Sequence, residues 1–345
     1  MGTKLAEIIE AQKISLSDLS GKKIAIDAFN TLYQFLSIIR QPDGTPLMDR
    51  KGRVTSHLSG LFYRNINLLE QGILPVYVFD GESPKLKSGE VARRREIRDA
   101  AYEEWQVAKK EGRIDDARKA AQASSRLTDS MVEESKTLLT AMGIPHIQAP
   151  SEGEALAAQM ARDGSVWASA SQDNDSLLYN CPRMIRNLSI SGRRRVSRAK
   201  TFKTISPELI DLDLNLRLLG ITREQLIDIA MLVGTDYNDK VPRVGQKTAL
   251  KLVKEFGSID GIVKDGKYEI EFPYDEIRDI FLNPPKDEIG PIDWNATPNI
   301  DEVTKILCSE HDFSVNRVKP SLERIAEKLE EIRGSSQQST LSDFF

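Results

Sequence analysis

The 345-residue sequence contains two cysteines, Cys181 and Cys308, far apart and in no ligand-like spacing. That scarcity argues against a disulfide framework or a zinc ribbon and points to a reducing interior. The three histidines, His57, His146 and His311, are scattered, which argues against a histidine-based metal centre. No apolar run approaches the roughly 18 residues that a membrane span needs. The opening residues Met1 to Ala6 lack an apolar signal core, and Ala6 stands where a myristoylation signal requires Ser or Thr. The expected setting is intracellular: cytoplasm, or nucleoid if the chain is archaeal. What is present, 40% hydrophobic and 29% charged residues, describes an ordinary globular chain, long enough for one large core or two smaller ones.

A net charge of −4 argues at first sight against a nucleic-acid binder, but binding is a local matter. From Arg183 to Lys203 the chain carries Arg183, Arg186, Arg193, Arg194, Arg195, Arg198, Lys200 and Lys203 without a single acid. Between Lys85 and Arg98 basic residues again dominate, opposed only by Glu90 and Glu96. The charges are segregated along the chain.

Lys22 to Asp27 reads as a short buried strand ending in an acid, and Leu74 to Asp80 repeats the pattern. Ser165 to Ser171 is a third, weaker strand, followed by Asp173-x-Asp175. Helical stretches over 56–71 and 129–142 lie between them, so an α/β fold with a mainly parallel sheet flanked by helices is expected. Groups just past the carboxyl ends of such strands converge on one crevice. Residues 88–127 are helical by composition but poor in core formers apart from Val91, Ile97, Trp105 and Ile114, and read as a projecting insertion. Residues 334–340 read as a flexible linker before Leu341, Phe344 and Phe345.

Taken singly, an acid after a strand is usually a turn or cap residue. The chain nevertheless supplies Asp27, Asp80, Glu152, Glu154, Asp173, Asp175 and Asp236 beside basic segments, with Ser151 as a candidate N-cap before Glu152. Mg²⁺ takes a hard oxygen shell, and two ions about 4 Å apart can activate water and stabilise a leaving phosphodiester oxygen. Several carboxylates converging on one place suit that chemistry.

The blocks around these acids stand in a distinctive order: Ile26-Asp27-Ala28, Tyr77 to Gly81, Ala149 to Ala155, Ser171 to Asp175 and Val233 to Tyr237. In that order, and over about Gly2 to Phe345, the chain resembles the flap endonucleases of archaea and eukaryotes, within the XPG-like structure-specific nucleases. The resemblance implies a PIN-like nuclease core that cuts 5′-flap DNA at the single-strand/duplex junction, with 5′-3′ exonuclease activity, in Okazaki-fragment maturation and repair. It implies two Mg²⁺, with Mn²⁺ as substitute, held most directly by Asp80, Glu154, Asp173 and Asp175. Asp27, Glu152 and Asp236 would then act largely through water. A nuclease acting mainly as an exonuclease or on RNA, and a non-catalytic fork-binding adaptor, are the alternatives.

By the same resemblance residues 88–127 form a helical arch for the 5′ strand, expected to be mobile without DNA. Lys87 and Arg94 match its basic pair, placed to grip the scissile phosphate, and a spacing of seven puts both on one helix face. Tyr33 matches a base-stacking position, and Arg40 and Arg64 positions near the duplex. Arg193, Arg194 and Arg195 suggest a basic hairpin tip. A helix–two-turn–helix is expected over about 228–256, with Arg243, Gly245 and Lys247 at duplex phosphates and often a bound K⁺. Here the chain departs from the pattern, with Arg243 in place of the first Gly and Gln246 in place of a Pro. The expected layout is one nuclease domain over 1–333, made of parts 1–87, 88–127, 128–260 and 261–333, acting as a monomer, with a tail at 334–345. Gln338, Leu341, Phe344 and Phe345 fit the sliding-clamp (PCNA) pattern Q-x-x-L-x-x-F-F, three apolar side chains sharing one face of a helical turn.

Overall fold

A computed structural model of the chain describes residues 3–82, 84–190, 192–195, 202–286 and 288–342. The side chains of Lys85, Ser88, Glu90, Val91, 192–195, 202–204 and 332–342 lie outside that description. The strands are β1 (Gln12–Lys13), β2 (Lys23–Asp27), β3 (Leu74–Phe79), β4 (His146–Gln148), β5 (Ala168–Ala170), β6 (Arg183–Arg186), β7 (Gly192–Arg195), β8 (Phe202–Ile205) and β9 (Glu208–Asp211). The helices are α1 (Ala28–Ile38), α2 (Ser56–Glu70), α3 (Ser88–Lys110), α4 (Ile114–Ala123), α5 (Asp129–Ala141), α6 (Gly153–Arg162) and α7 (Asp175–Leu178). They continue with α8 (Leu212–Leu219), α9 (Arg223–Val233), α10 (Gln246–Phe256), α11 (Ile259–Asp265), α12 (Tyr274–Leu282), α13 (Ile300–Thr304) and α14 (Val315–Ser342).

One sheet runs in the order β1-β9-β6-β5-β2-β3-β4, and β7 and β8 form a separate antiparallel pair. β6, β5, β2, β3 and β4 run parallel to one another, while β9 pairs antiparallel with β6 and β1 with β9 at one edge. The central strands are apolar on both faces because helices cover both. Along β2 and β3, Ala25, Val76 and Val78 enter one core, and Ile24, Ile26, Tyr77 and Phe79 enter the other. The register Asp27↔Val78 and Ile26↔Ala170 brings the carboxyl ends of β2, β3 and β5 together at one rim.

The expected mainly parallel sheet is present, and α2 and α5 lie where helices were expected. The third strand is shorter than expected, because pairing with β2 and β6 covers only Ala168–Ala170. The region expected to form an arch, α3 and α4, differs from the sequence reading. Of its expected core formers Ile97 and Ile114 are exposed and Trp105 is buried, joined by Ala108, Ala117, Ala120 and Ala121 in a satellite core. Small alanines let the two helices approach closely, and no count of large apolar residues registers them.

That core clasps the turn after α1. A Cβ on Gly44, at φ +85°, would stand 2.7 Å from Ala121 Cβ and 3.1 Å from Trp105 Nε1. Lys109 donates to Thr45 Oγ1 at 2.7 Å and pairs with Asp43 at 3.0 Å. The tail also differs: instead of a linker from Gly334, α14 continues to Ser342. No proline follows Pro320, and a single glycine costs a helix only about 1 kcal/mol. Phe344 and Phe345 lie outside the described residues.

Candidate active site

The acids of the rim are placed by ordinary local structure. Asp27 ends β2 and caps α1, accepting from the backbone N–H of Asn30 at 2.9 Å. Asp80 follows β3 and accepts from the N–H of Gly153 at 2.7 Å. A Cβ on Gly153 would lie 2.7 Å from Asp80 Oδ1, so a larger residue there would displace the carboxylate. Gly81 is wedged against Ala149 and Pro150 in the same way, so the Asp80–Gly81 and Ser151–Gly153 loops interlock. The expected cap is corrected here: Glu152, not Ser151, is the N-cap of α6, while the Ser151 hydroxyl donates to the Glu82 carbonyl at 3.1 Å. Glu154 lies in the first turn of α6.

After β5, the Ser171 hydroxyl donates to Asp27 Oδ2 at 3.2 Å and accepts from the N–H of Asp173 at 3.2 Å. Asp175 opens α7, and Asp175 Oδ1 accepts from the N–H of Thr3 at 2.9 Å. Asn174 ties the same N-terminal residue by donating to the Thr3 carbonyl at 2.8 Å. Asp236 follows the end of α9, where Gly234 at φ +96° turns the chain toward the rim. The structure therefore brings together all of the acids singled out from sequence.

Their electrostatics show how close they are. Burial and then the Asp80 carboxylate push Asp27 up to about 8. Burial followed by Asp236 and Asp173 raises Asp175 to about 6. Burial is also the leading cause of the upward shifts at Asp80, Glu152 and Glu154, with further acids of the cluster adding to each. Two cations, Lys87 at the N-cap of α3 and Arg94 within α3, meet this charge. Lys87 pairs with Glu152 at 2.6 Å and Asp236 at 3.4 Å, and Arg94 pairs with Asp236. Burial would lower Lys87, but Glu152 and Asp236 outweigh it and hold the ammonium well above its usual range.

The donor set fits hard divalent cations. It is all carboxylate oxygen, its charge exceeds what Lys87 and Arg94 supply, and Glu154 Oε1 is buried without a hydrogen-bond partner among the described residues. No three acidic, histidine or cysteine groups among the described residues form a ready-made tight cage. An open arrangement suits Mg²⁺, which keeps several waters and binds through few carboxylates.

The other singled-out residues are distributed around this rim. Tyr33 is half-buried; Arg98 of α3 lies over its ring at 5.7 Å and donates to its hydroxyl at 3.1 Å. Arg40 donates to the Leu36 and Gly44 carbonyls and to Ser125, tying α1 to the end of the arch. Arg64 is half-buried on α2, and burial lowers its pKa. Arg193, Arg194 and Arg195 occupy strand β7 rather than a hairpin tip, because they pair with Thr204, Lys203 and Phe202. Residues 196–201, which join the two strands, lie outside the described residues.

Arg243, between α9 and α10, and Lys247, in the first turn of α10, are exposed, and Gly245 caps α10 without a side-chain hydrogen bond. Arg243 takes the left-handed φ of +64°, a conformation that glycine adopts most readily. The sequence reading missed Asn30, Ser171 and Thr3, which hold the acids by hydrogen bonds. For Asn30 a signal existed, since it stands three residues after a strand-ending Asp, where an N-cap carboxylate finds its donor.

Comparison with known proteins agrees with this arrangement. Residues 1–101 match the XPG N-terminal domain and residues 143–236 the XPG I-region, which defines a structure-specific nuclease class. Flap endonuclease 1 of Saccharolobus solfataricus is 50% identical over 349 residues, covering 99% of each chain. That of Pyrococcus furiosus is 51% identical over 346 residues, covering 100% of this chain and 99% of the relative. The solved flap endonuclease-1 from Methanococcus jannaschii superposes with a TM-score of 0.75 at 42% identity, covering 96% of this chain and 99% of that one. The chain belongs to the flap endonuclease family. Its nucleases are metal-dependent, and the DNA-bound catalytic core of Rad2, 24% identical with a TM-score of 0.67, shares the fold.

Proposed function

We infer that this chain is a structure-specific 5′-flap DNA endonuclease with 5′-3′ exonuclease activity, acting in Okazaki-fragment maturation and repair. One observation carries the reading: acids from the ends of β2, β3 and β5 and from α6 converge where Lys87 and Arg94 reach in from the base of the arch. Two Mg²⁺, for which Mn²⁺ would substitute, would be held by Asp80, Glu154, Asp173 and Asp175, with Asp27, Glu152 and Asp236 around them. Bound there, the ions supply Lewis-acid stabilisation of both the attacking and the leaving oxygen.

The protein's own contribution is positioning and charge. Lys87 and Arg94 are neutralised by Glu152 and Asp236 in the free protein, and a scissile phosphate offers them an alternative anion. Transfer to that phosphate places two cations where charge builds during cleavage. Tyr33, with Arg98 over its ring, would stack on a base beside the cut. On the duplex side, the amides of α10 beside Gly245, together with Arg243 and Lys247, suit phosphate oxygens, and a K⁺ can bind in the same turn. Arg193, Arg194 and Arg195 add basic charge, with Arg40 and Arg64 nearer the duplex. Gln338, Leu341, Phe344 and Phe345 would hook a sliding clamp. Burying three such side chains is worth roughly 1.5–3 kcal/mol each, offset by the ordering of a chain end.

The test is cleavage of a labelled 5′-flap duplex with and without Mg²⁺, beside matched single strands, plain duplex and RNA flaps. Flap-selective, metal-dependent cutting at the junction is expected. Equal cutting of all the DNA substrates would remove structure specificity from the reading, and metal-free cutting would remove the ions.

A further inference from the structure

We propose that Asn30, aimed by Gln34, is the positioning residue that sets the Asp173 carboxylate for metal binding, an inference that rests on the reading of the acidic cluster as a metal site. Asn30 bridges two of the acids. Its backbone N–H donates to Asp27 Oδ1 at 2.9 Å, and its side-chain Nδ2 donates to Asp173 Oδ2 at 3.0 Å. Ser171 joins the same two acids from the other side, donating to Asp27 Oδ2 and accepting from the backbone N–H of Asp173. The four residues form a closed ring of hydrogen bonds, so the carboxylates of Asp27 and Asp173 keep a fixed relation.

The direction of the Asn30 amide follows from its neighbours. An ionised carboxylate only accepts, so Nδ2 has to face Asp173. One helical turn on, Gln34 donates its Nε2 to Asn30 Oδ1 at 2.7 Å and holds the amide that way round. Gln34 Oε1 is left buried with no hydrogen-bond partner among the described residues. An unmatched buried acceptor weakens a fold, so stability alone does not account for an amide at this position. What it does secure is the orientation of Asn30.

A neutral amide is suited to the task. It restrains one oxygen of Asp173 without adding, at a place suited to a cation, the positive charge that a Lys or Arg would bring. Partners behind metal ligands typically alter metal affinity by about 10–100-fold when removed.

The test is a Mn²⁺ titration of the DNA-free full-length protein, followed by the paramagnetic resonance signal of free Mn²⁺, for wild type, Asn30→Leu and Gln34→Met. Asn30→Leu keeps the side-chain size but loses the donor, and should weaken Mn²⁺ binding about tenfold. Gln34→Met should weaken it by about threefold while leaving the melting temperature unchanged or higher, because the orphaned acceptor goes with it. In flap cleavage the loss should appear as a higher Mg²⁺ requirement, with kcat largely recovered at saturating Mg²⁺. If Asn30→Leu does not fold, Gln34→Met carries the test. Folded variants that bind Mn²⁺ like wild type overturn the inference while the metal reading stands. A wild type that binds no Mn²⁺ overturns both.

Discussion

Stripping the protein of metal should make its stability depend on pH in a way that Mg²⁺ abolishes. Asp27 is pushed up to about 8 and Asp175 to about 6 by burial and neighbouring acids, against an ordinary value of 3.8 for each. Between these limits the folded protein holds a proton that the unfolded chain has released. The stability associated with these protons is fully present below about pH 4 and is lost as pH rises, that of Asp175 by about pH 6 and that of Asp27 by about pH 8. One extra bound proton gives a slope of about 1.4 kcal/mol per pH unit, so roughly 2–3 kcal/mol disappears between pH 6 and pH 8. For a chain of this size that corresponds to a fall in Tm of about 3–4 °C. Mg²⁺ binds the ionised acids and removes the proton difference, so the curve in Mg²⁺ should be nearly flat over the same range. The assay is thermal unfolding in EDTA and in Mg²⁺ at several pH values. Groups outside the site titrate in both series and cancel in the difference. Parallel curves, with a Mg²⁺ stabilisation independent of pH, would refute the reasoning.

Lys87→Ala or Arg94→Ala should slow single-turnover cleavage by about 10²-fold or more, the usual worth of a charge-stabilising group. Because each also frees an acid of the cluster, Mn²⁺ affinity should not fall; an unchanged cleavage rate would exclude their role. Arg243→Gly relieves a side chain held at φ +64° and should change stability by no more than about 1 kcal/mol, in the stabilising direction. The same variant should bind duplex more weakly, with a shallower salt dependence in fluorescence anisotropy; equal slopes would remove the proposed phosphate contact. Trp105→Ala empties the satellite core of the arch, so amide exchange in α3 and α4 should speed up while β2 and β3 keep their protection. Uniform loss of protection would mean that the arch and the nuclease core unfold as one unit.

How far the sequence could be read depended on the kind of signal. The sheet was legible at β2 and β3 because strands buried on both faces are continuous apolar runs, and each ends in an acid whose place in the chain fixes its place at the rim. The short strands β1, β4 and β9 exist through pairing rather than through their own pattern, and two to four residues carry no periodicity to detect. The acids of the site were legible as residue types in order, and their convergence is a property of the topology that the order implies.

What supports them was legible only in the Asn30 backbone amide, which an N-cap aspartate three residues earlier predicts. Asn30 and Gln34 on α1 look like ordinary polar positions of an amphipathic helix, and only the geometry shows one turned toward Asp173 and the other turned toward the first. Thr3 lies 172 residues from the carboxylate it restrains, a distance at which no local pattern speaks. The arch shows the opposite error. Its charge was legible, but its packing rests on alanines and on one glycine in the turn after α1, and small residues leave no mark on a hydrophobicity count. The recognisable part of such a site is therefore its chemistry, set by residue types that few other tasks require. The precision of that chemistry comes from hydrogen bonds made by residues common everywhere, and these become readable only once the fold has brought them into contact.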